Sequence, residues 1–307
     1  MGTSKPLISV IVLTLNEEGN LLSCLNSLSG LDYDSYVVDS GSTDKTVEIG
    51  IAAGANVIRH PFENYSLQRN WAQENLPLRT DWVLHLDAGE RLTAELVEEI
   101  QRVIQGVPNE IDGYLIARRT IFLGRWIKHG AHYPLFHLRL FRRGRGRCEN
   151  RLYDQHFIVD GKAVKLKNDF IDEVAHSLTA WSIRHVLWAE MEATAIVSPT
   201  SASDVLKGKF FEDSRMRRRW MKEVIYGRLP LLLRPFGYWF YRYFLRFGFL
   251  DGKEGLIFHF LQGFWFRFLV DCNIYGVVRR NESSGSERIP RRRIRRADSE
   301  WENCRGG

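Results

Sequence analysis

Val37-Val38-Asp39-Ser40-Gly41-Ser42-Thr43-Asp44-Lys45-Thr46 leads from an apolar pair to a carboxylate, through small polar residues, and into a helix-type sequence. A strand that ends on Asp and turns through Gly-Ser into a helix forms the edge at which open α/β sheets take ligands. Two other stretches repeat the design. The apolar run 8–13 exits through Thr14-Leu15-Asn16-Glu17-Glu18, and the run 82–86 exits through Asp87-Ala88-Gly89-Glu90. Three apolar strands delivering carboxylates to one edge predict a nucleotide-type ligand, held by the acids directly or through a metal ion.

Working outward, apolar spacing predicts a helix over 18–28, with Leu21, Leu22, Leu25 and Leu28 on one face. Thr43 or Asp44 is placed to cap a helix that stops at Gly54. A short strand is expected at 56–59, and helices at 66–75 and 93–105. This alternation predicts an α/β fold with a Rossmann-like, mainly parallel sheet and helices on both faces. From Gly113 the texture changes, with strands at 114–121, 137–141 and 163–171, then a helix over 179–197. A turn is expected at 252–255 and an apolar helix at 256–270.

Five segments in this order, ISVIVLTLNEE (8–18), VVDSGSTDKT (37–46), LQRNWA (67–72), LDAGE (86–90) and FLGRWIKHGAHYPLFHLRLFRRGRGR (122–147), resemble inverting family 2 glycosyltransferases of the GT-A fold. Together with NRLYDQHFIVDG (150–161) they look like the branch that builds bacterial lipopolysaccharide core and exopolysaccharide. The resemblance implies direct transfer of a sugar from a nucleotide-sugar donor, a UDP-sugar by family habit, to a lipid-linked or polysaccharide acceptor. It implies a donor half over about 1–112 and an acceptor half over about 113–206.

By the same resemblance Thr14, Asn16, Glu17, Asp39, Gln68, Arg69, Asn70 and Asp87 belong to the donor pocket. Six of these have a plainer reading: Asp39 as a turn-forming Asp, Asn16 and Glu17 as helix caps, and the 68–70 trio as a solvated helix face. A divalent cation, Mg²⁺ or Mn²⁺, is implied at Asp87 and Glu90, although Gly89 stands where the family carries a second Asp. Inversion needs a base for the acceptor hydroxyl. In Tyr153-Asp154-Gln155-His156 that base is expected to be Asp154, since Gln155 takes no proton. His129 and His132 lie in a stretch that resembles the family's acceptor side, so acceptor positioning is expected of them. Their spacing with His137 lacks the cysteines or acids of a metal site. Arg139 is expected on the same acceptor side, meeting an anionic group.

The rivals are a non-catalytic scaffold on the same fold, motivated by Gly89 and Gln155, and a sugar nucleotidyltransferase. The latter expects a Gly-rich basic phosphate loop after the first strand, where this chain has Asn16-Glu17-Glu18.

The 307 residues carry 43 Lys+Arg against 37 Asp+Glu, unevenly distributed. Residues 1–206 are net −5, residues 207–246 net +8, and the tail 279–307 net +4. Residues 236–268 hold 15 of the 38 aromatics. A basic, aromatic region over 207–278 is therefore expected to attach peripherally to an anionic membrane, with Arg234, Arg242 and Arg246 at lipid phosphates. The aromatics sit in apolar helical runs, which argues against nucleic acid. Four cysteines without CxxC spacing suit reduced thiols. The residues before Ile8 do not read as a signal peptide. The expected location is the cytoplasmic face of a bacterial inner membrane, with 279–307 as a disordered tail.

Overall fold

The computed structural model describes residues 7–150, 154–175, 177–197, 220–221 and 226–283. The chain divides into two compact units. The first comprises residues 1–126, 133–150 and 155–174; the second comprises 127–132, 151–154 and 175–307. This division falls after Val174, whereas the sequence placed a boundary at 206.

In the first unit, strands β1 (Ile8–Thr14), β2 (Tyr33–Asp39), β3 (Asn56–Arg59) and β4 (Trp82–Asp87) alternate with helices α1 (Leu21–Asn26), α2 (Thr46–Ala52) and α3 (Tyr65–Asn75). Then come β5 (Glu90–Leu92), α4 (Ala94–Ile104), β6 (Ile111–Phe122), β7 (Arg125–Trp126), β8 (Leu135–Arg142), β9 (Gly146–Cys148), β10 (Phe157–Val159) and β11 (Lys162–Ala175). The main sheet runs β3-β2-β1-β4-β8-β6-β11-β5, with β7 on β6, and β9 and β10 form a separate ribbon.

Strands β3, β2, β1 and β4 are parallel, so their C-terminal ends share one edge. In register, Thr14 lies beside Asp39 and Leu13 beside Asp87. The expectation of a mainly parallel sheet needs correction. β8 is antiparallel to both β4 and β6, and β5 is antiparallel to β11. Strands joined by short links, as β6, β7 and β8 are, cannot make the long crossover that parallel pairing requires.

The parallel strands are apolar on both faces because both faces are covered. Val10 and Val12 pack with Leu21 and Leu25 of α1, with Leu28 just beyond it, and with Leu96 and Ile100 of α4. Their neighbour Ile11 turns the other way, into a cluster with Tyr36, Val38, Ala72 of α3 and Leu76 just past its end. The caps follow local chemistry. The Asn64 side chain accepts from Leu67 N, Thr93 from Leu96 N, and Gly54 takes φ +80 after α2.

In the second unit, α5 (Leu178–Val197) packs through Ala189 and Ala193 against Phe266, Val270 and Ile274. Helix Arg234–Phe240 continues into a π-helical turn, Tyr241–Leu245, and a 3₁₀ turn, Gly248–Asp251. Helix Gly252–Phe258 passes through a π-helical stretch, His259–Trp265, into helix Phe266–Ser283. The turn expected at 252–255 is thus the start of a helix. Gly255 serves close packing there, because a Cβ would collide with the Cβ of Asp251. Helix Phe266–Ser283 also runs past Arg279, where the tail was expected to begin. Most of 207–225, and the tail beyond Ser283, lie outside the described residues.

Gly113 tests the seam between β6 and β8. A Cβ there would meet Leu138 Cδ1 at 2.8 Å and the Leu140 carbonyl at 3.2 Å. Gly113→Val should destabilise by about 1–3 kcal/mol through overpacking. Gly19→Ala, with nothing within 4 Å of its Cβ, should shift stability by less than about 0.5 kcal/mol. Thermal unfolding midpoints of the two variants make the comparison.

Candidate active site

The loops leaving β1 and β2 are knitted together by their own polar groups. Asp39 is fully buried. Its Oδ2 accepts from Gly41 N and Ser42 N at 3.0 Å, and its Oδ1 from Thr14 Oγ1 at 3.2 Å and from Ser42 Oγ. Burial opposes its charge, but the bonds from Ser42, Gly41 and Thr14 prevail and hold its carboxyl below the usual range. Asn16, at φ +55, accepts from Thr43 N through Oδ1 and donates its own N–H to Ser42 Oγ. Glu17 N donates to Thr46 Oγ1, and the Glu17 carboxylate accepts from Asn20. Asp44 closes the set, accepting from Glu18 N and Thr46 N. Asn16 and Glu17 therefore tie the β1 exit to the β2 exit through their backbone N–H groups.

Helix α3 brings three expected residues to three different partners. Gln68 is buried between the two ends of β2–β3, bonding His60 at 2.7 Å and Ser40 Oγ at 3.2 Å. The Asn70 amide makes a two-way clamp on the Cys148 backbone, at 2.8 and 3.0 Å. Arg69 alone reaches the end of β4, donating to Asp87 Oδ1 at 3.0 Å with its guanidinium over the Tyr65 and Phe157 rings.

Asp87 is the centre of the arrangement. Its other oxygen accepts from Arg139 of β8 at 3.0 Å, and Arg139 also donates to Glu90. Glu90 in turn accepts from Asp87 N at 2.9 Å, closing the Asp87–Glu90 turn. Burial works against the Asp87 charge, and the guanidiniums of Arg139 and Arg69 overcome it, holding its carboxyl well below the usual carboxylate range. Burial instead pushes Glu90 up, opposed by Arg139 and aided by the nearby Asp87 and Asp172 carboxylates. The Asp87 side chain keeps 43% of its surface exposed, whereas Glu90 keeps 2%. A ligand can therefore reach Asp87 but not Glu90.

A divalent cation at this site would need free hard-oxygen ligands. Both carboxylates are instead engaged by arginine, and Gly89 contributes no side chain. Among the described residues no three His, Cys, Asp or Glu side chains come together as a metal site. The donor set as arranged does not fit a cation, since one would have to displace a guanidinium. Gly89 is not sterically required: an added Cβ would find only the Glu173 carbonyl, at 3.7 Å.

Of the other expected residues, Arg139 joins the Asp87 and Glu90 carboxylates, and His129, His132 and Asp154 are grouped elsewhere. His129 and His132 belong to the second unit, His129 bonded to Asp251 at 2.6 Å and His132 to Arg242 at 3.3 Å. Asp154 is half-buried at φ +59 and is grouped with the second unit, while Gln155 and His156 are grouped with the first. Sequence reasoning missed a second ionic network on β6 and β11. There Asp169 accepts from Arg119 at 2.7 and 3.1 Å and from the Tyr133 hydroxyl at 3.0 Å, and Arg118 pairs with Asp172 at 3.3 Å. Consecutive arginines inside the apolar run of β6 were the signal. His85 was missed as well. Fully buried between the Phe141 and Phe157 rings, it is pushed well below its usual pKa by burial and by Arg69 and Arg139.

The parallel edge of the sheet thus presents an arginine-held carboxylate beside two polar strand exits, at the place where open α/β sheets take ligands. Residues 9–168 match the family described as glycosyl transferase family 2, slightly more than half of the chain, and the protein belongs to that family. This places it among the glycosyltransferases. A Rickettsia typhi protein named as an uncharacterized glycosyltransferase is 38% identical over 96 residues, 31% of this chain and 32% of that protein. The lipopolysaccharide core biosynthesis glycosyltransferase LpsC of Rhizobium meliloti is 34% identical over 147 residues, 46% of this chain and 53% of LpsC. These matches therefore span about a third to a half of the curated relatives. Among solved structures, S. aureus TarS 1-349 in complex with UDP-GlcNAc aligns over 91% of this chain and 92% of its own, at 15% identity and a TM-score of 0.45.

Arg139→Met should expose how far the cluster depends on its cation. Leaving Glu90 buried without it should lose about 3–5 kcal/mol, read as a fall in the thermal midpoint. Mn²⁺ should restore part of that loss in the variant, and should leave the wild-type midpoint unchanged when no nucleotide is present.

Proposed function

We propose that the chain transfers a sugar from a nucleotide-sugar donor, a uridine diphosphate sugar, to a lipid-linked or core-saccharide acceptor of the lipopolysaccharide or exopolysaccharide type. The observation that carries this reading is Asp87, accessible at the C-terminal end of β4 and held between Arg69 and Arg139. Family membership supplies the reaction class, and the LpsC relative supports the acceptor class.

In this reading the ribose and base lie against the exits of β1 and β2, where Thr14, Asn16, Glu17 and Asp39 shape the loops. Asp39 acts mainly by fixing the loop, since its bonds to Gly41, Ser42 and Thr14 already engage both oxygens. Arg69 and Arg139 bring positive charge to the side on which a diphosphate leaves, where a preorganised cation is most effective in a water-poor site. Asp154 takes the proton of the acceptor hydroxyl as that oxygen attacks the anomeric carbon. The bond to the diphosphate breaks on the opposite face, and the configuration inverts.

The test is release of UDP from a panel of UDP-sugars on addition of a saccharide acceptor. Asp154→Asn keeps the shape of the side chain and loses the proton acceptor. It should reduce turnover by about 10²–10⁴-fold while leaving UDP affinity within a few-fold of wild type. Turnover close to wild type would remove Asp154 as the base. No acceptor-dependent release from wild type with any donor would favour the scaffold reading.

A further inference from the structure

Of Arg234, Arg242 and Arg246, the first two do not face outward. Arg234 is 6% exposed and makes a forked contact with Asp271, Nε lying 2.9 and 3.0 Å from the two carboxylate oxygens. Arg242 is 5% exposed and donates through Nε to the Gly130 carbonyl at 2.9 Å. The acids are turned inward with them: Asp271 is fully buried, and Asp251 is 2% exposed against His129. The expectation that Arg234 and Arg242 meet lipid phosphates is therefore corrected. A buried guanidinium needs a carboxylate or carbonyl partner, and each has found one inside the unit.

Removing these charges from the surface changes what the surface is. Fourteen residues between Leu233 and Phe260 are exposed, and eleven of them are Leu, Ile or Phe. The rest are Gly237, Arg246 and Lys253; no acid is exposed. The rings are contiguous. Ring contacts of 4.5–6.4 Å link Phe236 through Phe264 and Phe260 to Trp239, and from Trp239 through Tyr243 and Phe249 to Phe247. Phe240 (50%) and Phe247 (57%) leave half of their rings exposed, and Leu245 and Leu250 are exposed as well. Continuous apolar surface of this extent marks an interaction site.

We propose that this face, residues 233–260, inserts into one leaflet of an anionic lipid bilayer and holds the protein on the membrane as a monotopic protein. No described helix is long and apolar enough to cross a membrane, so the face lies in the interface. Two observations choose lipid over a second copy of the chain. The exposed charges are two cations with no exposed acid to answer them, so a symmetric self-contact would leave Arg246 and Lys253 unpaired, whereas anionic headgroups at the rim of the inserted rings would pair them. The face is also dominated by Phe and Leu with no exposed hydrogen-bonding side chain except those cations, a composition that acyl chains satisfy and a polar-rimmed protein interface does not. Aromatic insertion supplies the binding and the two cations select the lipid.

Flotation of the full chain with vesicles of phosphatidylethanolamine and phosphatidylglycerol tests it. Wild type should float, and should stay mostly bound in high salt, because the apolar term is not screened. Phe240→Ser, Phe247→Asn and Leu250→Ser combined should cut the bound fraction at least ~10-fold, with circular dichroism and thermal midpoint unchanged because these side chains are exposed. Arg246→Glu with Lys253→Glu should reduce binding to anionic vesicles and not to phosphatidylcholine vesicles. Failure of wild type to float, equal flotation of the triple variant, or full release by salt would each overturn the proposal. A wild-type dimer in solution that the triple variant converts to monomer, with no flotation of either, would assign the face to a second copy.

Discussion

The sharing of Asp87 between Arg69 and Arg139 is the contact on which the first unit depends. It joins a helix, the end of the last parallel strand and the first antiparallel strand beside it, and through Glu90 it also holds β5. Two arginines and a glutamate would be costly to bury singly. Held together the guanidiniums are answered by the Asp87 and Glu90 carboxyls, and the geometry that lets them meet is specific to one packing of α3, β4, β5 and β8. The cluster is thus a structural tie between the parallel and antiparallel halves of the sheet. It is also the part of the expected donor pocket that combines charge with access to solvent, at Asp87.

Around that tie, the loops of β1 and β2 are organised differently. Their hydroxyls and carboxylates, at Thr14, Ser42, Thr46, Asp39 and Asp44, bond almost wholly to one another. What they present to a ligand is a fixed backbone outline more than free side chains. Preorganisation of this kind lowers the entropy lost on binding, and it gives Asn16 a reason to hold a left-handed backbone: its amide braces the Thr43 N–H across the cleft between loops.

The second unit follows the same rule that buried charge must be paired, with an opposite effect on its exterior. Pairing Arg234 with Asp271, Arg267 with Glu192 and Asp251 with His129 consumes the polar groups of the aromatic helices from within. Gly130 allows this closeness, because a Cβ there would overlap the His259 ring. The outer surface is left apolar although the sequence reads as mixed.

How much could be read in advance depended on the range of the forces involved. The strands at 8–14, 56–59 and 82–87, the helices beginning near 66 and 93, and the arrival of Asp39 and Asp87 at one edge follow from local rules: strand periodicity, helical spacing and the parallel alternation of β and α. The five ordered segments carried the family. The sequence could not say which charges would meet. Arg139 is 52 residues from Asp87, Asn70 is 78 from Cys148, and Arg242 is 112 from Gly130. Such pairings are chosen by which buried charge lacks a partner once the sheet and helices have closed. Hence the anionic partners of Arg139 are the carboxylates of its own sheet, the Asn70 amide is engaged by a backbone clamp, and Arg234 and Arg242 left the surface. A chain determines its local elements through neighbouring dihedrals and side-chain spacing. The partners of its buried ions are decided only by the closed tertiary structure, because only there does water cease to be the alternative partner.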